Sequence, residues 1–399
     1  MWGINAVYRY LEALEKFGMN LGLDRITYLL ARLGDPHLKL RSIHIAGTNG
    51  KGSTAVMISS MLKEAGYRVG LYTSPHLFDY RERIKVNGRD ISRKDLEAGL
   101  EKVRKISGRM KSKPTVFEAL TAAAFWYFAR KQVDYAVVEV GLGGRLDATN
   151  VITPLVTVIT NIDYEHTEVL GRTLARIAGE KAAVIKPGIP VVTAEEKAEP
   201  LRVIKRTAQR QDSLLIQVGK RQEAIGTRMM GEHQKLNAAC AIAAIRLGGI
   251  EVSRRSIRKG LNKAAWPGRF QVVLKNPLVL VDGAHNPAGA RALRVTIKKV
   301  FPGRFSVVFG CQGTKDHDQV LRELAPVISE LIITRSSHRL AADPNLLVRS
   351  ARRRRIPFVV AGSVGDALKR WDRTKPLLIT GSLFTVSDAL KYLDVAQRA

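Results

Sequence analysis

Cysteine is nearly absent: Cys240 and Cys311 are the only two in 399 residues. Two isolated thiols in apolar or small-residue settings supply neither a disulfide framework nor a zinc cluster, and both read as buried and incidental. Long apolar runs are missing as well. None approaches the roughly 20 residues that span a bilayer, and the opening Met1-Trp-Gly-Ile-Asn-Ala lacks a basic segment followed by an apolar core. No membrane partner is expected, and the cytoplasm is the expected compartment. Aromatic residues make up only 6%, and basic runs such as Arg254-Arg255 and Arg352–Arg355 have no aromatics interleaved on which bases could stack. Acidic residues are scarce beside basic ones, 36 against 65, for a formal net charge of +29. Such a field favours anionic ligands without specifying a fold. The positive residues are spread along the chain, which reads as a solvated basic surface set by host or temperature; nucleic acid is not the expected partner.

What is present is an ordinary globular composition, 45% hydrophobic and 25% charged. A chain of 399 residues exceeds the range in which one core keeps growing, so two domains are expected. The most informative stretch is His44-Ile-Ala-Gly47-Thr48-Asn49-Gly50-Lys51-Gly52-Ser53-Thr54. A short apolar alternation enters it, and the residues from Ala55 to Gly66 leave it with helical spacing. A strand, a Gly-rich loop and a helix N-terminus point backbone N–H groups at one spot, which suits an anion. Lys51 adds a mobile positive charge for phosphate, and Ser53 or Thr54 a hydroxyl for Mg²⁺. The spacing departs from the general phosphate-loop pattern, with two residues between the glycines and an extra Gly52 before Ser53.

Strands and helices alternate around this loop. Helical segments are expected through Val7–Phe17, Leu23–Leu33, Phe117–Phe128 and Thr173–Pro187, and strands at Arg68–Thr73, Glu82–Gly88, Tyr135–Val140 and Leu155–Asn161. This pitch argues for a parallel sheet covered on both faces. Glu139 lies inside an apolar strand, so it is expected at the ligand-binding end of the sheet with a partner or a metal. The following Gly141-Leu-Gly143-Gly144-Arg145-Leu146 is a weak dinucleotide fingerprint, because Leu146 stands where the third glycine belongs. His166, after the apolar strand and Asp163-Tyr-Glu165, is a candidate metal or phosphate contact. Lys181 on its own reads as a surface lysine.

Together these segments resemble the folylpolyglutamate synthase and dihydrofolate synthase family of the Mur ligase superfamily. The matching stretches are GTNGKGS, EVGLGGRLDATN, ITNIDYEHTEVLG and EKAAVIKPG, with GLDRITYLLARLGDPH, TSPHLFDYRERIKVNG, FEALTAAAFWYFA, GEHQKLNAA, WPGRF, VDGAHNPAGA and TGSLFTVSDA. They occur in the family's order over nearly the whole chain. The resemblance implies an α/β protein: a Mur-ligase-like ATPase domain with a phosphate loop (1–265), a hinge (266–270), and a smaller Rossmann-like domain (271–399) whose presence need not mean NAD.

It also implies an amide-bond ligase that uses ATP and Mg²⁺ to turn a carboxylate into an acyl phosphate, from which the amine of L-glutamate displaces phosphate. A carboxylate is a poor acylating group until one oxygen becomes a good leaving group, and two anions meet only where positive charge surrounds the γ-phosphate. By the resemblance, Lys51 and the loop N–H groups from Gly47 to Thr54 hold the phosphates. Ser53 and Glu139 ligate one Mg²⁺, His166 a second, and Lys181 is carbamylated to support that metal. Asn237 contacts adenine, and Arg269, Asp282 and His285 approach the nucleotide across a cleft. Ser74, Pro75, His76, Arg81 and Arg83 match the pterin or folate side, with Arg145 and Asp147 in another loop and Lys315 and Ser382 in later motifs. Glu165 stands where the family usually has aspartate, which could shift the geometry of His166. The segment 195–231 looks shorter than its family counterpart and is expected as a trimmed β-region.

Dihydropteroate and reduced folates are both expected acceptors for L-glutamate, and a monomer is expected. The alternatives are another Mur-type amino-acid ligase or a basic ATPase that binds nucleic acid. The latter leaves the VDGAHNP and hinge motifs unexplained.

Overall fold

The computed structural model describes residues 4–18, 20–219 and 226–398. Two sequence readings, on the chain start at 1–3 and on the part of the shortened segment at 220–225, fall outside the described residues. The chain divides into two compact units, Met1–Arg228 with Gln234–Ala264, and Met229–His233 with Ala265–Ala399. The sequence places its boundary at 266–270 and gives no sign that 229–233 groups with the second unit.

The first unit is built on eight strands: β1 (Ser42–Ala46), β2 (Val69–Tyr72), β3 (Ile84–Val86), β4 (Arg89–Asp90), β5 (Tyr135–Glu139), β6 (Val156–Ile159), β7 (Val191–Thr193) and β8 (Leu215–Gln217). Their spatial order is β4-β3-β2-β5-β1-β6-β7-β8. The β2–β3 and β3–β4 pairs are antiparallel and every other pair is parallel. All residues of β1, β2, β5, β6 and β7 are buried. That is why they read as continuous Val/Ile-rich runs: helices cover both faces, so no polar alternation survives.

Close approach of the helices fixes this sheet. A Cβ on Gly70 of β2 would lie 2.8 Å from the Phe128 ring of the helix Val116–Arg130. That helix starts in a capping box between Thr115 and Glu118, and Arg25 Nε lies 3.0 Å from Glu118 Oε1. The amphipathic helices Ile4–Glu15 and Asp24–Arg32 add Leu11, Ile26 and Leu29 to the same core as Phe125, Phe128 and Val138. Elsewhere the helix Arg254–Lys263 meets the phosphate-loop helix Lys51–Glu64 so closely that a Cβ on Gly260 would come within 2.5 Å of Met61 Cα.

Two segments differ from the sequence reading. The helix expected to run to Pro187 spans only Leu174–Ala182. The backbone N–H of Arg145 takes the Glu180 carbonyl at 2.9 Å, a group that a further helical turn would need. Within 195–231, the helix Ala198–Arg210 buries Pro200, Ile204 and Ala208. Its Pro200 sits in the first turn, where no intrahelical donor is required.

The second unit has a six-stranded sheet of β9 (Gln271–Lys275), β10 (Leu278–Val281), β11 (Phe305–Phe309), β12 (Ile328–Ile333), β13 (Phe358–Val360) and β14 (Leu377–Thr380). The order is β13-β12-β11-β14-β10-β9, parallel except for the antiparallel edge strand β9. The strand-like runs at 278–281, 306–309, 331–334, 357–360 and 377–380 in the sequence foresee the five parallel strands. The sequence misses β9, whose residues are only half-buried and therefore carry a weak apolar signal. Cys240 and Cys311 are free and buried, and burial pushes both thiols up to about 12.

Candidate active site

The order β5-β1-β6 brings three segments together at the C-terminal edge of the first sheet. From β1 the chain turns through Gly47 (φ +138°) and Gly50 (φ +88°) into the helix Lys51–Glu64. Neither position accepts a side chain. A Cβ on Gly47 would lie 1.9 Å from Thr160 Oγ1, and one on Gly50 would lie 2.3 Å from Asn237 Oδ1.

The residues just after β6 brace the loop. Thr48 N–H donates to the Asn161 carbonyl at 2.8 Å, Asn49 N–H to Asn161 Oδ1 at 3.0 Å, and Thr160 Oγ1 donates to the Asn49 carbonyl at 2.7 Å. Asp163 N–H donates to Thr48 Oγ1 at 3.0 Å. Lys51 Nζ donates to the carbonyls of Gly47 and Thr48, both at 3.0 Å. Lys181 is buried and donates to the same Gly47 carbonyl at 2.9 Å. Two cations therefore converge on one loop carbonyl, which overturns the reading of Lys181 as a surface residue. The buried hydroxyl of Thr54, in the first turn of the loop helix, has no hydrogen-bond partner.

Glu139 ends β5, is buried, and accepts from the Ser74 backbone N–H at 3.0 Å. His166 precedes the short helix Thr167–Leu170 at φ +51°, with Nε2 3.9 Å from Glu165 Oε1 and Nδ1 3.7 Å from Glu168 Oε1. Among the described residues, no group of three or more His, Cys, Asp or Glu side chains forms a ready-made metal cage. The hydroxyl, carboxylate and imidazole expected as donors, too few for a cage, fit ions that complete their shells with phosphate oxygens and water, as Mg²⁺ does.

The Ser74-Pro75-His76 turn leads to a well-braced segment. Glu82 accepts from the backbone N–H groups of Leu77, Phe78 and Asp79, each at 2.8 Å. Arg83 Nε donates to His76 Nδ1 at 3.0 Å, and burial pulls the Arg83 guanidinium below its usual range. Arg81 pairs with Asp79 at 3.1 Å. Arg145 pairs with Glu180 at 3.0 Å on an exposed edge. Asp147 is wholly committed to its own loop, accepting from Leu142 N–H at 2.8 Å, Thr149 N–H at 3.0 Å and the Thr149 hydroxyl at 2.5 Å. Burial raises its carboxyl.

In the second unit, Asp282 accepts from Phe270 N–H and Ala284 N–H, both at 2.8 Å. It thereby fixes the turn that carries His285, whose Nδ1 lies 2.9 Å from the Gly283 carbonyl. Arg269 packs beside Gly283, where a Cβ would meet its guanidinium at 2.8 Å. Ser382 is buried and caps the last helix through Thr385 N–H at 3.0 Å. Lys315 follows β11, in a turn closed by its own N–H to the Gln312 carbonyl at 3.1 Å.

Comparison with known proteins follows the same division. The family described as Mur ligase middle domain matches residues 45–188, and that described as Mur ligase, glutamate ligase domain, matches 268–383. The dihydrofolate synthase/folylpolyglutamate synthase of Bacillus subtilis is 39% identical over 421 residues, covering 96% of this chain and 97% of that one. The chain belongs to the dihydrofolate synthase/folylpolyglutamate synthase family. The Escherichia coli dihydrofolate synthase/folylpolyglutamate synthase is 34% identical, with 96% of this chain and 94% of that one covered. Among solved structures, E. coli FolC in complex with DHPP and ADP has a TM-score of 0.90 at 32% identity, covering 98% of each chain. The Yersinia pestis bifunctional folylpolyglutamate synthase/dihydrofolate synthase complexed with AMPPNP and Mn ion has a TM-score of 0.89 at 30% identity, covering 99% of this chain and 98% of that one.

Sequence reasoning missed several residues that shape this dihydrofolate synthase/folylpolyglutamate synthase site. Thr160 and Asn161 brace the loop, and their place at the end of the expected strand 155–161, within the ITNIDYEHTEVLG stretch, was the signal that could have found them. His44, fully buried on the central strand, meets Thr149 Oγ1 at 2.8 Å through Nε2 and so ties Asp147's loop to the sheet. Gln234 lies within the quoted GEHQKLNAA stretch, yet its link to Ser53 spans 181 residues.

Proposed function

We propose that this chain catalyses the ATP-dependent joining of L-glutamate to dihydropteroate and to reduced folates, acting as a cytoplasmic monomer. The observation that carries the reading is the convergence of Lys51 and Lys181 on the Gly47 carbonyl, on the sheet edge where β5 ends in the buried carboxylate of Glu139. In this reaction a substrate carboxylate oxygen attacks the γ-phosphorus of ATP and ADP leaves. The glutamate amine then adds to the acyl carbon, loses a proton, and phosphate departs.

The chain's own residues supply position and charge. Lys51 exchanges its two loop carbonyls for phosphate oxygens, and the N–H groups at the start of the loop helix face the same anion. Asn237 and, from the second unit, Arg269, Asp282 and His285 serve the nucleotide. Ser74, Pro75, His76, Arg81 and Arg83 form the acceptor side, with Arg83 held by His76. Arg145, Asp147, Lys315 and Ser382 support the acceptor and glutamate loops; the bonds of Asp147 and Ser382 favour holding loops over touching substrate. Ser53 and Glu139 would hold one Mg²⁺ and His166 a second, and these ions would neutralise phosphate charge. Carbamylation turns Lys181 from a donor into an anionic oxygen group that supports the His166 side.

The test is phosphate release from MgATP with dihydropteroate or a tetrahydrofolate, with and without L-glutamate, while product mass is followed. Glutamate-dependent release with one added glutamyl residue on each acceptor is expected. Incorporation on one acceptor alone would narrow the reading to that activity, and hydrolysis indifferent to every pterin would overturn the substrate assignment. Labelled CO₂ recovered on Lys181 in the native enzyme would carry the carbamate; an unlabelled lysine would reject it.

A further inference from the structure

The helix Glu232–Leu247 presents Gln234 and Asn237, three residues apart and therefore on one face, to the first turn of the phosphate-loop helix. Both side chains are buried. Asn237 Oδ1 is turned to Gly50, the residue that caps the loop helix and whose missing Cβ leaves the room. Asn237 Nδ2 donates to Gln234 Oε1 at 2.9 Å. Gln234 Nε2 in turn donates to Ser53 Oγ at 3.4 Å.

A carboxamide can accept with one end and donate with the other, and Gln234 does both. Accepting from Asn237 settles which way that amide faces, with its oxygen to Gly50 and a second N–H left over. Donating to Ser53 occupies one lone pair of the hydroxyl and leaves the other for a cation. No charged or apolar residue of similar size fulfils both roles: glutamate lacks the donor, and leucine or methionine lacks both groups.

We propose that Gln234 is a positioning residue that couples the Ser53 hydroxyl to the Asn237 carboxamide, so that cation binding and base binding by the nucleotide site are set together. This rests on the nucleotide reading of the site. Gln234 contacts neither the cation nor the base. It acts through the two residues that do.

The experiment measures ADP binding to the full chain by calorimetry, with chelator present and across a Mn²⁺ titration. Gln234→Leu is compared with Ser53→Ala, Asn237→Ala and the corresponding double variants. Two hydrogen bonds lost at a buried residue are expected to weaken ADP binding by about tenfold. Gln234→Glu keeps the acceptor for Asn237 and loses the donor to Ser53. It should shift the half-saturating Mn²⁺ concentration several-fold more than it shifts ADP affinity in chelator.

The deciding readout is additivity. If Gln234 acts through its partners, its effect on Mn²⁺ demand shrinks in the Ser53→Ala background, and its effect on chelator-phase ADP affinity shrinks in the Asn237→Ala background. Fully additive effects in both backgrounds would reduce Gln234 to packing and overturn the proposal while the nucleotide site stands. A wild-type chain that binds no ADP would instead overturn the nucleotide reading beneath it. Should Gln234→Leu fail to fold, the same cycles run with the isosteric Gln234→Glu and are read in the same way.

Discussion

His44 makes the stability of the first unit sensitive to mild acid, in an amount that can be worked out. The imidazole is fully buried on β1, and burial, with a smaller push from the Lys186 ammonium, lowers its pKa from 6.5 to about 3. The Thr149 hydroxyl already donates to Asp147, so His44 must donate from Nε2, and its Nδ1 faces no partner. An unfolded chain binds a proton on His44 below pH 6.5, whereas the folded chain resists it down to about pH 3. The unfolded state therefore holds more protons throughout that window, and stability falls as pH drops. The loss from this group is about 2 kcal/mol at pH 5 and about 3 kcal/mol at pH 4.

Asp147 works in the opposite sense. Its carboxyl is raised by burial, so the folded state gains protons before the unfolded one and acid favours folding through that group. It is present in both proteins being compared, so it largely drops out of their difference. In His44→Gln the amide keeps a donor for Thr149 and removes the titration. Urea unfolding at pH 7, 5 and 4 should show the wild type losing stability more steeply than the variant, with the gap between them closing by about 2 kcal/mol from pH 7 to pH 5. Parallel pH dependences would refute the argument, whatever the offset at pH 7.

Further consequences concern close approaches. Gly50→Ala puts a Cβ 2.3 Å from Asn237 Oδ1 at a residue with φ +88°. It should weaken ADP binding by more than tenfold while the left-handed backbone costs about 1 kcal/mol of stability, both read by calorimetry and urea titration; unchanged affinity would show that the Gly50 turn does not shape the nucleotide site. Gly260→Ala sets a methyl 2.5 Å from the Met61 backbone, which cannot swing aside. A loss of about 1–3 kcal/mol is expected in the urea midpoint, and an unaltered midpoint would contradict the packing of the two helices.

Much of this architecture could be read along the chain because its signals are local. Gly47, Gly50, Lys51 and Ser53 sit within seven residues, and the apolar runs of β1, β5 and β6 announce buried strands. Sequence reasoning also drew Glu139 to the end of its strand, since an acid among valines needs a reason to be there. It stalled where meaning depends on what lies opposite. Lys181 is an unremarkable helical lysine until the helix is set against Gly47, 134 residues earlier. The family resemblance singled it out, whereas its own neighbours could not. Gln234 and His44 share this blindness, because a buried polar residue looks like any other polar residue until its partner is known. The short reach of Leu174–Ala182 was equally hidden, for the carbonyl that would extend it is taken by the backbone of Arg145.

The chain passes between its two units three times, after Arg228, after His233 and after Ala264. The second unit is therefore not a tail that a single cut can detach. A fragment starting at residue 265 would leave behind Met229–His233, including Met230, which packs against the core formed by Phe305, Val307 and Leu280. Genetic division of this protein into interchangeable halves, or grafting of its glutamate-ligase half onto another ATPase, has to carry that five-residue loan with it. Otherwise the donor half starts life with an apolar patch exposed where Met230 had packed.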